Sequence, residues 1–324
     1  MLRKLWPWRN SLVYGLLFVV LASLPLLGNA YYTSVMIVIG IHTIVTVGLC
    51  LLMGYAGQVS LGNAGFYGLG AFASAILTTR WGISPWIAIV VAAAATGLLA
   101  YVIGYPIFRL RGNYLAMATL GLGLVIYILF VELNEYTGGP SGLSGVPYLS
   151  IGDFAFSTDF SYYYLVWAVC LGILFLSQNI VRSRTGRALR AIHASEEAAL
   201  SVGVDVAHYK VKVFALSAVY ASIAGSLYAH YVTFVSPQPF GFMFSVKLVV
   251  MAVVGGLASI WGAIFGAAGI TLLGESLHEL GQLDVVVFGL ILMVVVITLP
   301  QGLTRGILDL VDWAAARLKL EGRK

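Results

Sequence analysis

The sequence predicts an all-α protein, a polytopic transmembrane helical bundle, and three observations support that fold class. Of the 324 residues, 60% are hydrophobic and only 10% are charged, whereas soluble domains carry about 25% charged residues. The mean hydropathy is +0.95. Apolar runs of about 20 residues recur along the chain, which is the length that a helix needs to cross a hydrocarbon core of about 30 Å. We therefore expect one transmembrane domain, residues 1–324.

About ten spans are predicted, and the short glycine-rich ones could be broken helices that enter and leave on the same side. The first run could instead be a cleaved signal peptide, because residues 28–30 resemble a cleavage site. It is longer than the usual signal core of about 7–15 residues, which favours a retained span. The candidate spans are 11–28, 31–53, 60–79, 85–107, 114–132, 162–180, 211–231, 243–257, 259–274 and 284–299.

The positions of the basic residues predict that both termini face the cytoplasm. With the amino terminus inside and the spans alternating, most Lys and Arg residues fall on the inner side; only Arg80 and Lys247 fall outside. The net charge of +5 is then a consequence of topology, and no nucleic-acid partner is expected. Residues 301–324 form an amphipathic tail that we expect to lie on the inner membrane surface against lipid.

The longest inner loop, residues 182–210, contains a predicted helix of about two turns. Ser195 is suited to cap it, with acidic residues in the first turn and Gly203 at its left-handed end. So short a helix is unstable alone, so we expect it to dock against a partner. The alternative is an ordinary basic loop that fixes orientation. The candidate coupling residues are Ser195, Glu196, Glu197, Ala198, Ala199 and Gly203.

Residues 54–71 combine six glycines with polar side chains in an otherwise apolar region. Such a segment is typical of a broken helix that lines a transport path, although close packing of small residues is the alternative. A weaker echo of this pattern at 255–266 hints at a paired element, although the high glycine content makes a chance match the alternative. The candidate path residues are Gln58, Ser60, Asn63, Phe66 and Ser259.

The longest predicted external loop is rich in glycine and carries acidic residues. Thr137, Gly138 and Gly139 lie in it and could contact a soluble binding protein, or the loop could be a plain connector. His42 lies in the middle of a span, where a neighbouring helix is expected to satisfy its ring; a proton relay is the alternative.

The motifs that would indicate an enzyme are missing. The sequence has no phosphate-binding loop, no paired zinc histidines and no nucleophile elbow, so we expect no catalytic residues, no cofactor and no metal. Ionisable residues within the spans are scarce, so a carrier would need its energy from elsewhere. A stand-alone channel or secondary carrier remains an alternative; an intramembrane enzyme is disfavoured.

The chain resembles the LivM-type permeases of bacterial branched-chain amino acid ABC importers. The resemblance rests on motifs in family order at residues 54–71, 110–116, 137–145, 185–192, 197–203, 255–262 and 299–303. It implies a multi-pass protein of the bacterial inner membrane that pairs with a second, homologous permease subunit. It also implies two cytoplasmic ATPase subunits and a periplasmic binding protein that delivers a branched-chain or other hydrophobic amino acid.

The resemblance also gives the docking helix a role. Residues 197–203 match the coupling-helix motif of ABC importers at Glu197, Ala198, Ala199 and Gly203, which implies contact with an ATPase. Asn63 stands where the family commonly has His or Gln, and Gly65 where it has Ala. These departures leave the substrate open, because similar permeases carry urea, amides or other amino acids.

Overall fold

The computed structural model describes residues 30–277 except Arg111 and Asp153, together with the isolated positions Pro25, Gly289 and Met293. These residues are mostly helical, with two small two-stranded sheets. Apart from the isolated positions, the predicted spans at 11–28 and 284–299 and the predicted tail at 301–324 lie outside the described residues.

Each of the eight ranges predicted between residues 31 and 274 contains a helix. In chain order the elements are α1 Ala30–Leu49, a π-helical turn Cys50–Tyr55, α2 Asn63–Thr79, α3 Pro85–Ile107, α4 Asn113–Glu132, α5 Asn134–Thr137, a 3₁₀ turn Gly139–Ser141, β1 Leu143–Ser144, β2 Ser150–Ile151, β3 Phe154–Ala155, α6 Asp159–Arg182, α7 Arg184–Ala194, α8 Glu196–Ser201, α9 Val206–Val232, β4 Phe234–Val235, a 3₁₀ turn Gln238–Phe240, α10 Phe242–Gly255 and α11 Gly262–Leu277.

Five of these helices are long and apolar enough to cross a membrane: α1 with its π-helical turn, α3, α4, α6 and α9. The helices α10 and α11 are shorter, with 14 and 16 residues, or about 21–24 Å at 1.5 Å per residue. The chain is thus a helical, multi-pass membrane protein, while the total number of spans and the side of each terminus stay predictions.

The helices α2 and α9 run parallel and approach unusually closely. Ser226 on α9 donates a hydrogen bond to the carbonyl of Gly70 at 3.0 Å. A Cβ atom at Gly70 would lie 2.1 Å from the Ser222 carbonyl oxygen, and one at Gly225 would lie 1.9 Å from that of Tyr67. The absence of side chains at these two glycines is therefore what lets the backbones meet.

Polar side chains also link α2 and α9 on either side of this glycine contact. Asn63 donates from Nδ2 to Ser217 Oγ at 3.2 Å, and Ser74 Oγ lies 2.8 Å from His230 Nε2. The other ring nitrogen of His230 lies 2.7 Å from the carbonyl oxygen of Pro147. These bonds satisfy polar groups that the apolar surroundings would otherwise penalise.

The helices α10 and α11 form an antiparallel hairpin that packs against α1. Gly255 and Gly266 face each other in it, since a Cβ at Gly266 would lie 2.8 Å from the Gly255 Cα. His42 of α1 contacts Thr271 of α11 through Nδ1 and Oγ1, 3.0 Å apart. The expectation that a neighbouring helix satisfies this histidine is confirmed.

Contacts between residues far apart in sequence show which segments lie together at each end of the bundle. At one end Tyr31 donates to the Glu275 carboxylate at 2.9 Å, and β1 pairs with β4 in antiparallel register. At the opposite end the Tyr55 hydroxyl donates to the Ala258 carbonyl at 2.8 Å. The grouping agrees with the alternation of spans that the basic residues predict; residues 182–210 lie at the Tyr55 end.

Candidate functional site

The segment 182–210 folds as two short helices, α7 and α8, followed by the start of α9. Ser195 ends α7 and caps α8, because its Oγ accepts a hydrogen bond from the Ala198 backbone N–H at 3.2 Å. Gly203 follows with φ +82°, the left-handed conformation that favours glycine. Both features agree with the sequence-based expectation for a short, capped helix.

One face of α8 packs on the chain itself and the other is exposed. Ala199 is buried in a small apolar cluster with Ile192 and Val206, so of the two predicted contact alanines only Ala198 faces outward. Glu197 and Gly203 are also exposed. Beside them, the side chains of Leu200 and Val202 are 51% and 75% exposed. These six outward residues would meet any partner that covers α8: Glu197, Ala198, Leu200, Ser201, Val202 and Gly203.

The glycine-rich stretch breaks the helix, as the sequence predicts. Residues 56–62 are irregular between the π-helical turn and α2, and we call them the broken segment. Leu61 N–H donates to Thr119 Oγ1 at 3.1 Å, which places it about 9 Å along α4 from the first residue of that helix. Ala64 N–H, just inside α2, donates to Ser245 Oγ at 3.2 Å. Hydroxyl groups thus replace helical carbonyls as acceptors.

Two buried polar atoms lie in or beside the broken segment without a hydrogen-bond partner among the described residues, Ser60 Oγ and Asn63 Oδ1. Both side chains are almost completely buried. An unsatisfied buried polar group costs about 1–3 kcal/mol. The segment therefore holds unused hydrogen-bonding capacity at the place where the sequence predicts a transport path.

Phe66 lies about one helical turn after Asn63 on α2 and, like Asn63, contacts α9. Its ring packs edge-on against Phe214 of α9 with centroids 5.3 Å apart, and it is fully buried. In the described structure its ring fills the core between α2 and α9, and a place on the path stays a prediction.

The two glycine-rich stretches meet. A Cβ at Gly54 would lie only 1.7 Å from the Leu257 carbonyl oxygen, so the turn of the α10–α11 hairpin sits directly on the end of the π-helical turn. Ser259 lies in that turn and accepts a hydrogen bond from the Gly262 backbone N–H at 3.0 Å. Its hydroxyl therefore shapes the start of α11.

The structure also joins two predicted sites that the sequence treats separately. Gln58 Nε2 of the broken segment donates to Glu196 Oε1 of α8 at 3.4 Å. The same oxygen forms an ion pair with Lys210 Nζ of α9. The neighbouring Gly57 also lies close to α7, because a Cβ atom added to it would be 3.0 Å from His193 Nδ1.

Lys210 is the residue that sequence reasoning missed. The sequence analysis counts it among the basic residues that set the orientation in the membrane, whereas in the structure its side chain is only 2% exposed. The available signal was its place in the second turn of an apolar helix, where a lysine needs either a route to water or a partner.

At the other end of the bundle, Thr137, Gly138 and Gly139 form a tight structure. Thr137 Oγ1 donates to the carbonyl groups of Phe130 and Leu133 at 2.7 and 2.9 Å and accepts from Gly139 N–H at 3.1 Å. Both glycines have positive φ. These residues close the end of α4, and contact with a binding protein stays a prediction.

Comparison with known proteins gives a consistent result. Residues 31–296 match the family model described as the permease component of branched-chain amino acid transport systems. The high-affinity branched-chain amino acid permease LivM of Escherichia coli is 31% identical over 85% of this chain and 71% of its own length. LivM of Salmonella typhimurium is 29% identical over 91% and 75%. Its LivH is 23% identical over 81% and 90%. No solved structure matches the chain.

Proposed function

Since this chain belongs to the family of permease components of branched-chain amino acid transport systems, we propose that it is the translocation-path subunit of an ATP-driven importer. It carries branched-chain or other hydrophobic amino acids from a periplasmic binding protein to the cytoplasm across the bacterial inner membrane. The chain is then a transport subunit, and separate partner subunits hydrolyse ATP.

The observation that carries this proposal is the exposed face of α8. Leu200 and Val202 present apolar side chains at the Tyr55 end of the bundle, one in a helix of only six residues and the other directly after it. Two exposed apolar side chains on a capped, rigid turn suit insertion into a cleft of another protein. The sequence has no phosphate-binding loop of its own, which supports a nucleotide-hydrolysing subunit as that partner.

A second permease subunit completes the proposed assembly. Similarity to both LivM and LivH proteins supports a pair of related chains. The helix α4 supports it too, because large apolar side chains on it are exposed in the single chain. They include Met117, Val125 and Ile128, which need lipid or another subunit as cover.

The substrate path is proposed to run along the broken segment and the hairpin turn that rests on it. Gln58, Ser60, Asn63 and Ser259 supply polar groups there, and Phe66 marks its inner wall against α9. Thr137, Gly138 and Gly139 are proposed to lie where the binding protein docks.

Cross-linking in the assembled transporter tests the proposal. A Val202→Cys variant, co-expressed with its partner subunits, should form a cross-link to an ATPase subunit, whereas a cysteine at Val90 on the exposed face of α3 should not. Proteoliposomes with the full assembly, ATP and the binding protein should accumulate labelled leucine. Cross-linking of residue 202 to no other polypeptide, or its labelling from the exterior, would contradict the proposal. Uptake by this chain alone without ATP would favour a stand-alone carrier.

The bound ligand of the co-purified binding protein identifies the substrate. Leucine, isoleucine or valine supports the branched-chain assignment. Urea or an amide would keep the importer and replace its substrate.

A further inference from the structure

The carboxylate of Glu196 joins three parts of the molecule. It lies in the first turn of α8 and forms an ion pair with Lys210 on α9, and it accepts a hydrogen bond from Gln58 of the broken segment. The neighbouring carboxylate, Glu197, is exposed. The two adjacent acidic residues therefore have different surroundings, since Glu197 is open to contact and Glu196 is held by the ion pair with Lys210.

Lys210 fixes the position of Glu196. A lysine side chain that is 2% exposed is costly to bury unless a carboxylate pairs with it. Because α9 is 27 residues long and packs on α2 and α3, the ion pair ties the first turn of α8 to a long, well-packed helix. Charge-assisted bonds of this kind are stronger than neutral ones, so Glu196 stays with α8 and α9 together.

Gln58 is the part of the broken segment that Glu196 holds. Its amide nitrogen also donates to the Ala56 carbonyl at 2.9 Å, which makes a small closed loop out of residues 56–58. The preceding residue, Gly57, has φ +68° and lies close to α7, since a Cβ atom added there would be 3.0 Å from His193 Nδ1. Two consecutive residues of the broken segment are therefore next to the pair of helices α7 and α8.

A displacement of Gln58 would move the rest of the broken segment. Its downstream part contains the unsatisfied Ser60 Oγ and lies against Asn63, whose Oδ1 is also unsatisfied among the described residues. Upstream, Tyr55 bonds the hairpin turn through the Ala258 carbonyl. A displacement of residues 56–58 would therefore reach both stretches that are proposed to border the path.

We infer that Glu196 is a positioning residue for transport: anchored by Lys210, it links the docking helix α8 to Gln58 and so transmits movement of α8 to the broken segment. This inference rests on the proposed function and assigns a task to contacts inside the chain, distinct from the contact with an ATPase subunit. It requires the Glu196–Gln58 bond to differ in strength between the two states of the transporter.

The first test removes the donor. Gln58→Met keeps the length of the side chain and loses its hydrogen bonds. The matched control is Gln178→Met on α6, a half-buried glutamine near the same end of the bundle whose side chain makes no hydrogen bond to the described residues. In proteoliposomes of the complete transporter, leucine uptake and ATP hydrolysis are measured together. We expect Gln58→Met to lower uptake per ATP hydrolysed by about tenfold, within the roughly 5–150-fold range of site-to-site coupling. Co-purification of the ATPase subunits should be unchanged, and the control should match the wild type.

A second variant reaches the same link from its other end. Glu196→Leu combined with Lys210→Met removes the acceptor without leaving a buried charge, and it should show the same uncoupling with intact assembly. If Gln58→Met does not fold, this double variant tests the positioning role of Glu196 in its place. A wild-type ratio of uptake to hydrolysis in either assembled variant overturns the positioning role. If the wild-type assembly itself shows no ATP-dependent uptake, the proposed function fails instead, so the two failures are distinguishable.

Discussion

Replacing Gly225 by alanine should destabilise the protein, because α2 and α9 come closest at this residue. A Cβ atom there would lie 1.9 Å from the Tyr67 carbonyl oxygen, whereas ordinary van der Waals contact begins at 3.4 Å. The helices would have to separate locally by about 1.5 Å, and a gap of that size removes more than half of the dispersion attraction across it. Neither partner is a flexible side chain, so no rotamer change relieves the clash.

The magnitude follows from two opposing effects. Overpacking costs about 1–3 kcal/mol, and the upper value applies here because backbone meets backbone. The better helix propensity of alanine returns about 1 kcal/mol, which leaves a net loss of about 2 kcal/mol. On the scale of domains of 150–250 residues, such a loss lowers the unfolding midpoint by about 4–8 °C.

The assay is thermal unfolding of the purified protein in detergent, followed by tryptophan fluorescence. The control is Gly172→Ala on α6, where a Cβ meets no heavy atom of the described residues within 4 Å. Its midpoint should equal or slightly exceed that of the wild type. Equal midpoints for Gly225→Ala and the control would refute the close approach of α2 and α9.

Four further substitutions test the docking helix and the opposite end of the bundle. Ser195→Ala removes the cap of α8, worth about 1 kcal/mol, and should reduce co-purification of ATPase subunits, whereas Ser195→Asp should retain it. Gly203→Pro, which cannot adopt the observed φ of +82°, and Glu197→Arg should each abolish uptake and leave membrane insertion intact; normal uptake in either would contradict the coupling role of α8. Thr137→Val removes the hydroxyl partner of several backbone groups, Gly139 N–H among them, and should cost about 1–3 kcal/mol. The unfolding midpoint should fall, and Thr137→Ser should keep it at the wild-type value.

The helices were predictable because each is encoded by its own stretch of sequence. Apolar runs give the positions of eight helices within a few residues, and they need no information about neighbours. The cap at Ser195 and the left-handed turn at Gly203 are equally local, since both depend on residue types next to the helix ends. Each of these features is therefore determined by the residues next to it in the sequence.

The contacts within the candidate site were not predictable in the same way. Gln58 and Glu196 are 138 positions apart, and nothing near either residue indicates the other. Phe66 lies in a stretch that is glycine-rich and apolar on every side, so periodicity does not show which face is buried. Its packing against Phe214 depends on the approach of α2 to α9, which is a property of the pair.

The broken segment should change conformation during transport, and hydrogen–deuterium exchange can detect this. Driving a two-state element from 1:99 to 99:1 takes about 5.5 kcal/mol of differential binding. Ser60 Oγ and Asn63 Oδ1 have no hydrogen-bond partner among the described residues, so a rearrangement of the segment could give both atoms a partner without breaking a bond that they already make. A bias applied through Glu196 would act on this segment through Gln58. Backbone amides of residues 56–62 should exchange several-fold faster when the assembled transporter turns over ATP, whereas amides in the middle of α9 should not. Equal exchange at rest and during turnover would mean that the segment is a fixed part of the wall, and the path would have to open elsewhere.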